Sequence, residues 1–152
     1  MLRITKLTDY AVLVLSDMVR AGAAGACAAR DISEHTKIPQ PTVSKVLKTL
    51  ARAGLVESER GKNGGYRLAR EPGAICVADI VDAIEGPIAV TECSTEARGC
   101  CDLEGACPTE KNWVRINDAI RQALRGITLA DMVRPNLPVL IPLRRLATAV
   151  EA

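Results

Sequence analysis

The chain has 152 residues, 48% of them hydrophobic and 25% charged, with a formal net charge of +2. That length can bury one sizeable core with an appendage, and so small a charge means that any nucleic-acid surface has to be local. No run approaches the roughly 20 apolar residues that span a bilayer, and the opening Met1-Leu2-Arg3-Ile4-Thr5-Lys6 lacks the apolar segment and cleavage site of a signal peptide; a cytoplasmic protein without a membrane partner is expected.

In chain order, residues 8–20 carry Ala11, Val12, Leu15, Met18 and Val19 at helical spacing, with Thr8 as N-cap and Gly22 closing the far end. A small-residue loop leads to a shorter helix over 29–35 that buries Ile32. The run Lys37-Ile38-Pro39-Gln40-Pro41 cannot prolong it, because each proline lacks an amide hydrogen and drives its predecessor toward extended backbone. Proline does suit a helix's first turn, so a new helix starts near Pro41 and runs to Ala53. It buries Val43, Val46, Leu47 and Leu50, turns Thr42, Ser44, Lys45 and Lys48 outward, and closes on a left-handed Gly54.

Residues 55–60 and 65–68 read as two strands around the turn Gly61-Lys62-Asn63-Gly64, where Asn and Gly tolerate positive φ. Two short helices, a turn and a hairpin make a winged helix-turn-helix. An amphipathic helix over 77–85 follows, closed by Gly86-Pro87, and then a cysteine-bearing loop. Pro108 opens what reads as the longest helix, whose Trp113, Ile116, Ile120, Ala123 and Ile127 step by three and four residues. Such a seam pairs with another helix, as in a homodimer, although packing on its own domain gives the same pattern. Beyond Met132, Pro135, Pro138 and Pro142 break regularity, and 137–150 takes no assignment. The expectation is a mainly α protein: a winged helix-turn-helix over 1–87, a cysteine loop over 88–107, a dimerisation helix and closing segment over 108–133, and a proline-interrupted tail over 134–152.

Between Gln40 and Arg70 the basic residues Lys45, Lys48, Arg52, Arg60, Lys62, Arg67 and Arg70 face only Glu57 and Glu59, the local concentration a DNA reader needs. In a helix-turn-helix the second helix enters the major groove by its amino-terminal half, so Gln40, Thr42, Ser44 and Lys45 are candidates for base edges and nearby phosphates, and Lys48 for a sequence-independent contact. Gln40 also fits a helix cap. Arg60, beside Gly61 at the hairpin tip, suits a narrow A·T-rich minor groove. Lys62 and Arg67 are expected on phosphates, and Tyr66 in a structural role.

Four of six cysteines, Cys93, Cys100, Cys101 and Cys107, share one short window. In a reducing compartment such a cluster argues for a site and against a disulfide framework. The paired C-x2-C knuckles of structural zinc are absent, as are ferredoxin-type C-x2-C-x2-C runs. Cys93, one of the pair Cys100 and Cys101, and Cys107 therefore fit an iron-sulfur cluster better than one ion. Cys27 and Cys76 read as small apolar fillers, and the sole histidine, His35, as a surface or core residue.

The chain resembles the IscR and NsrR group of winged-helix, iron-sulfur-binding bacterial regulators, and within it the SUF-system regulators of cluster assembly. The resemblance rests on Leu7-Thr8-Asp9-Tyr10-Ala11, the stretch 38–50, the wing Arg60-Gly61-Lys62-Asn63-Gly64-Gly65-Tyr66, the cysteine loop and Thr128-Leu129-Ala130-Asp131-Met132. It implies a homodimer on a pseudo-palindromic operator, a [2Fe-2S] or [4Fe-4S] cluster held by Cys93, Cys101 and Cys107, and dimerisation through the helix from Pro108. Where [2Fe-2S] members often carry a ligating histidine this chain has Glu110, and Asp9 matches the position from which nitric-oxide-sensing members supply a carboxylate from the other subunit. Either would complete the site with an oxygen donor, leaving Cys100 as a spare thiol able to replace Cys101 or trap it as a disulfide. A non-enzymatic repressor of cluster-assembly genes is implied. The rivals are a nitric oxide or iron-status sensor, a cluster-free thiol switch, a zinc-structured regulator and, least favoured, an iron-sulfur carrier or electron-transfer protein.

Overall fold

A computed structural model describes residues 3–22, 26–61, 64–94, 101 and 106–134. The expected class holds: helices dominate, and the two strands form one antiparallel hairpin.

Helix α1 (Lys6–Ala21) starts one turn earlier than the sequence suggested. Thr5, not Thr8, is the N-cap, its Oγ1 accepting the Thr8 amide at 3.4 Å. Thr8 is buried inside the first turn and donates its hydroxyl to Glu85 Oε1, which also accepts the Thr5 amide at 2.9 Å. The earlier start brings Leu7 and Tyr10 against the core. Gly22 ends the helix as expected, at φ 78°.

Helices α2 (Ala29–Thr36) and α3 (Gln40–Arg52) make the helix-turn-helix. Pro39 stands at the N-cap of α3 and Gln40 is its first residue, so Gln40 does not cap it. Val43, Val46, Leu47 and Leu50 are wholly buried, as the helical spacing requires. At the far end the Leu55 amide donates to Leu50 O at 3.0 Å and the Gly54 amide to Ala51 O at 3.1 Å, the reciprocal bonds that a left-handed residue after the cap permits. Because Leu55 closes α3, the first strand is shorter than expected.

That strand, β1 (Val56–Glu59), pairs antiparallel with β2 (Gly65–Leu68) in the register Val56↔Leu68, Glu57↔Arg67, Ser58↔Tyr66, Glu59↔Gly65. Cys27 joins them through a bridge to Tyr66, exchanging amide-to-carbonyl bonds of 2.8 and 2.9 Å. Gly65 permits this approach, since a Cβ there would lie 2.6 Å from Cys27 O.

Helix α4 (Val77–Glu85) buries Val77, Ala78, Ile80 and Val81 and ends at Gly86, as read from the sequence. Helix α5 (Glu110–Arg125) has 16 residues and shares the greatest length among the described helices with α1. Thr109 stands at its N-cap and it stops at Arg125. Ile127, expected on its seam, therefore lies beyond it; its carbonyl accepts the Val77 amide at 2.9 Å. Thr128 then bridges to Cys76 and caps α6 (Leu129–Val133) together with Asp131. Leu129 is fully buried in the same core as α1, α3 and α4, so the chain returns from α5 to the winged domain.

Candidate DNA interface and thiol segment

The sequence candidates on α3 lie outside the core: Gln40, Lys45 and Lys48 are exposed, and Thr42 and Ser44 are half-buried. No side chain caps the amino end of α3, where Pro41 lacks an amide hydrogen and the Thr42 and Val43 amides donate to Pro39 O at 2.9 and 3.1 Å. Arg60 is exposed beside Gly61, whose φ of 129° makes the sharp turn at the wing tip. Lys62 lies outside the described residues.

Charge pairing separates the basic residues into two sets. Arg30, Arg67, Arg70, Arg121 and Arg134 each meet a carboxylate within 4.0 Å, whereas among the described residues Lys37, Lys45, Lys48, Arg52 and Arg60 meet none. Those five lie in the helix-turn-helix and at the wing tip; Arg3, Lys6, Arg20, Lys111, Arg115 and Arg125 likewise meet no carboxylate among the described residues. Arg67, expected on a phosphate, is instead clasped by Glu57 at 2.6 Å and Glu59 at 2.7 Å, because the hairpin register sets it opposite one and beside the other. Lys37 and Arg52 were not among the sequence candidates; their position at the ends of α2 and α3, together with their lack of a carboxylate partner, adds them to the set. Tyr66 is half-buried against the core, where the bridge to Cys27 holds it.

Cys93 sits in a 3-10 turn, Glu92–Ser94, braced by Thr91 Oγ1 and Ser94 Oγ at 2.8 Å. Cys101 is half-buried, and Cys100 lies outside the described residues. Cys107 precedes α5; its Sγ is 3.3 Å from Thr109 Oγ1, and that hydrogen bond, with the Thr109 amide, lowers the thiol's pKa and favours thiolate. Glu110, whose amide donates to Cys107 O at 3.3 Å, is the first residue of α5. Asp9 is exposed in the first turn of α1, where a carboxylate is favoured by the helix dipole. Among the described residues no three His, Cys, Asp or Glu side chains are grouped as for a metal ion. His35 Nδ1 instead meets Asp17 Oδ2 at 3.2 Å. Cys27 packs on the core and burial, followed by Asp17 and Asp31, pushes its thiol up.

A polar seam ties this segment to the rest. Asn117, the one buried residue of α5, accepts the Val90 amide at 3.1 Å. One turn on, Arg121 reaches Asp82 of α4 at 3.7 Å, while the other Asp82 oxygen accepts the Ile88 amide at 3.1 Å. Apolar side chains of α5 flank this seam in the open: Trp113, one turn before Asn117, Val114 and Ile116 are 38%, 40% and 45% exposed, Ile120 is half-buried and Ala123 exposed. Val114 was missing from the sequence candidates, since it falls off the strict seam.

A family model described as an iron-dependent transcriptional regulator, Rrf2, matches residues 4–135. The chain belongs to the Rrf2 family. The HTH-type transcriptional regulator IscR of Citrobacter koseri is 31% identical over 132 residues, 87% of this chain and 80% of its own length. The solved IscR of T. potens superposes with a TM-score of 0.65 at 31% identity, over 87% of this chain and 86% of that one. CymR, the global cysteine regulator of B. subtilis, superposes with a TM-score of 0.70 at 30% identity, over 88% and 97%. These likenesses make the Rrf2 chain an IscR-type transcriptional regulator, for which DNA is the partner, and its relatives are regulators rather than enzymes. No helix among the described residues is long and apolar enough to cross a membrane.

Proposed function

We propose that this Rrf2 regulator is a homodimeric, iron-sulfur-dependent repressor of iron-sulfur assembly genes, reading a pseudo-palindromic operator. The observation that carries it is the cysteine segment itself. Its start is moored to α5 through Asn117 and its end runs directly into α5 at Cys107, which is biased toward thiolate. Cys93, Cys101 and Cys107 would hold the cluster, with an oxygen from Asp9 of the partner subunit or from Glu110 as fourth donor and Cys100 in reserve. The donor chemistry fits, since soft thiolates suit such a cluster and a hard carboxylate leaves one corner exchangeable. When bound, the cluster supplies a centre sensitive to oxidants, nitric oxide and iron supply. The DNA side is carried by Gln40, Thr42, Ser44 and Lys45 at the amino end of α3, by Lys48, and by Arg60 with Lys62 at the wing. Dimerisation is carried by Trp113, Ile116, Ile120 and Ala123. The residues' own part in signalling is to hold the path of 88–93 against α4 and α5, so that a change in that path is felt by the DNA-binding helices. A shift of about 1–3 kcal/mol in operator affinity is the usual size of such coupling.

Anaerobic purification followed by iron, acid-labile sulfide and zinc analysis, with operator titrations before and after cluster removal, tests this reading. Iron and sulfide in equal amounts with altered affinity on removal are expected. Protein that takes up neither, even after reconstitution, ends it. A cluster-free thiol switch is the second reading, favoured by the likeness to a regulator named for cysteine. It predicts affinity that follows thiol oxidation with no iron present.

A further inference from the structure

Lys37 is the only residue other than glycine with positive φ among the described residues, at 61°. It closes α2 in the left-handed conformation, its amide donating to Ser33 O at 3.0 Å. Glycine takes that conformation freely, whereas a Cβ crowds the next carbonyl, so lysine holds backbone strain that glycine would release. The turn does not need the lysine side chain. Ser33 Oγ donates to Ile38 O at 2.7 Å, Thr36 Oγ1 donates to Ile32 O at 2.6 Å, and Ile38 is buried. Lys37 itself is exposed and meets no carboxylate among the described residues. The fold therefore gains nothing visible from this ammonium, and its backbone is strained to carry it.

The gain lies outside the fold. Lys37 precedes Gln40, the first residue of α3, in the turn that leads to an uncapped helix end, and it continues the unpaired cations Lys45 and Lys48. A recognition helix enters the groove amino end first, so the turn before it rides at the phosphate rim. We infer that Lys37 is a backbone-phosphate contact of the DNA interface, held at the groove's rim by the left-handed turn at the expense of fold stability. The ligand is a phosphate and not a base edge, because an ammonium on a flexible stem is a point charge without the paired donors that read bases.

The test uses wild-type, Lys37→Gln and Lys37→Gly chains in one cluster-loading state. Each is titrated over a salt series against a duplex selected by the wild-type protein from a randomised pool, and against a shuffled duplex. One phosphate contact contributes about 0.9 to the slope of log affinity on log salt. Both variants are expected to lose that increment and to weaken about three- to tenfold on either duplex near 0.1 M salt. K37Q keeps the Cβ and melts with the wild type, whereas K37G melts about 2–4 °C higher. An unchanged slope in either variant overturns the phosphate contact, and K37G melting below K37Q overturns the strain. A wild-type protein that selects no duplex at all would instead overturn the DNA-regulator reading on which the inference rests.

Discussion

Asn117 Oδ1 accepts the backbone amide of Val90 at 3.1 Å, and Asn117 is the one residue of α5 that is fully buried, at 4% exposure. A helix that otherwise turns apolar side chains to solvent thus keeps its buried position for a polar group. Burial of an amide is favourable only while its partner stays in place. The bond consequently makes the position of Val90, three residues before Cys93, a condition of α5 docking on α4. Asn117→Ala removes the partner of the amide of half-buried Val90, which costs about 1 kcal/mol. A thermal melt of the variant lowered by several degrees is expected, together with a smaller difference in operator affinity between loaded and cluster-free protein. A variant that melts with the wild type and keeps that difference would show that Asn117 holds nothing.

The wing separates two arginines that composition alone makes equal. Arg67 is neutralised by Glu57 and Glu59, each about half exposed, whereas Arg60 stands unpaired at the tip. Arg67→Ala should leave the salt dependence of DNA binding unchanged and shift stability by less than about 1 kcal/mol, since exposed ion pairs are screened. Arg60→Ala should cost about 1–3 kcal/mol and relax the preference for the wing-contacted bases, and Lys48→Ala should weaken all sequences alike. Titrations of the three variants against an operator and its wing-shuffled form distinguish these outcomes. Loss of salt slope in the Arg67 variant would reverse the assignment.

Acid should loosen the junction of α1 and α4. The Thr8 hydroxyl and then the Thr5 amide hold the Glu85 carboxyl below its ordinary value of 4.5. A carboxylate depressed in the folded state stabilises the fold above its unfolded pKa, and that contribution is lost as pH falls below 4.5 through the depressed value. The Glu85→Gln variant should therefore be less stable than the wild type at neutral pH and converge with it in acid. Urea midpoints measured from pH 7 down to pH 3 check this; parallel curves at all pH values would remove Glu85 from the acid response.

Much of this architecture was legible because its signals are local. The apolar spacing of Val43, Val46, Leu47 and Leu50, with Pro41 before and Gly54 after, determines α3 from one short stretch, and Gly86-Pro87 does the same for the end of α4. What escaped depends on contacts distant in sequence. Thr5 and Thr8 are chemically equal as caps, and Glu85, far along the chain, helps decide between them. Cys27 becomes a strand partner only because Gly65 of the wing lets it approach. Ile127 keeps the helical period but leaves α5, because its carbonyl is needed by Val77. At the site, the sequence supplied the cations, and only the register of the hairpin revealed that Arg67 is already paired.

The exposed apolar residues of α5 offer the clearest test of assembly. Trp113, Val114 and Ile116 expose large apolar surfaces although a charged helix face would suffice for solubility. If α5 packs against its counterpart in a second copy, a single buried charge there is costly, since neither subunit offers a partner for it. Ile116→Glu should therefore yield monomers by sedimentation, with the helical signal in circular dichroism unchanged because Ile116 supports no contact of the core. Operator affinity should fall steeply in the same variant, because two half-sites are no longer read together. Trp113 is the chain's only tryptophan, so its emission reports burial directly. A blue-shifted emission in the wild type that moves red in the Ile116 variant is expected, and a dimer that survives Ile116→Glu would remove α5 from the interface.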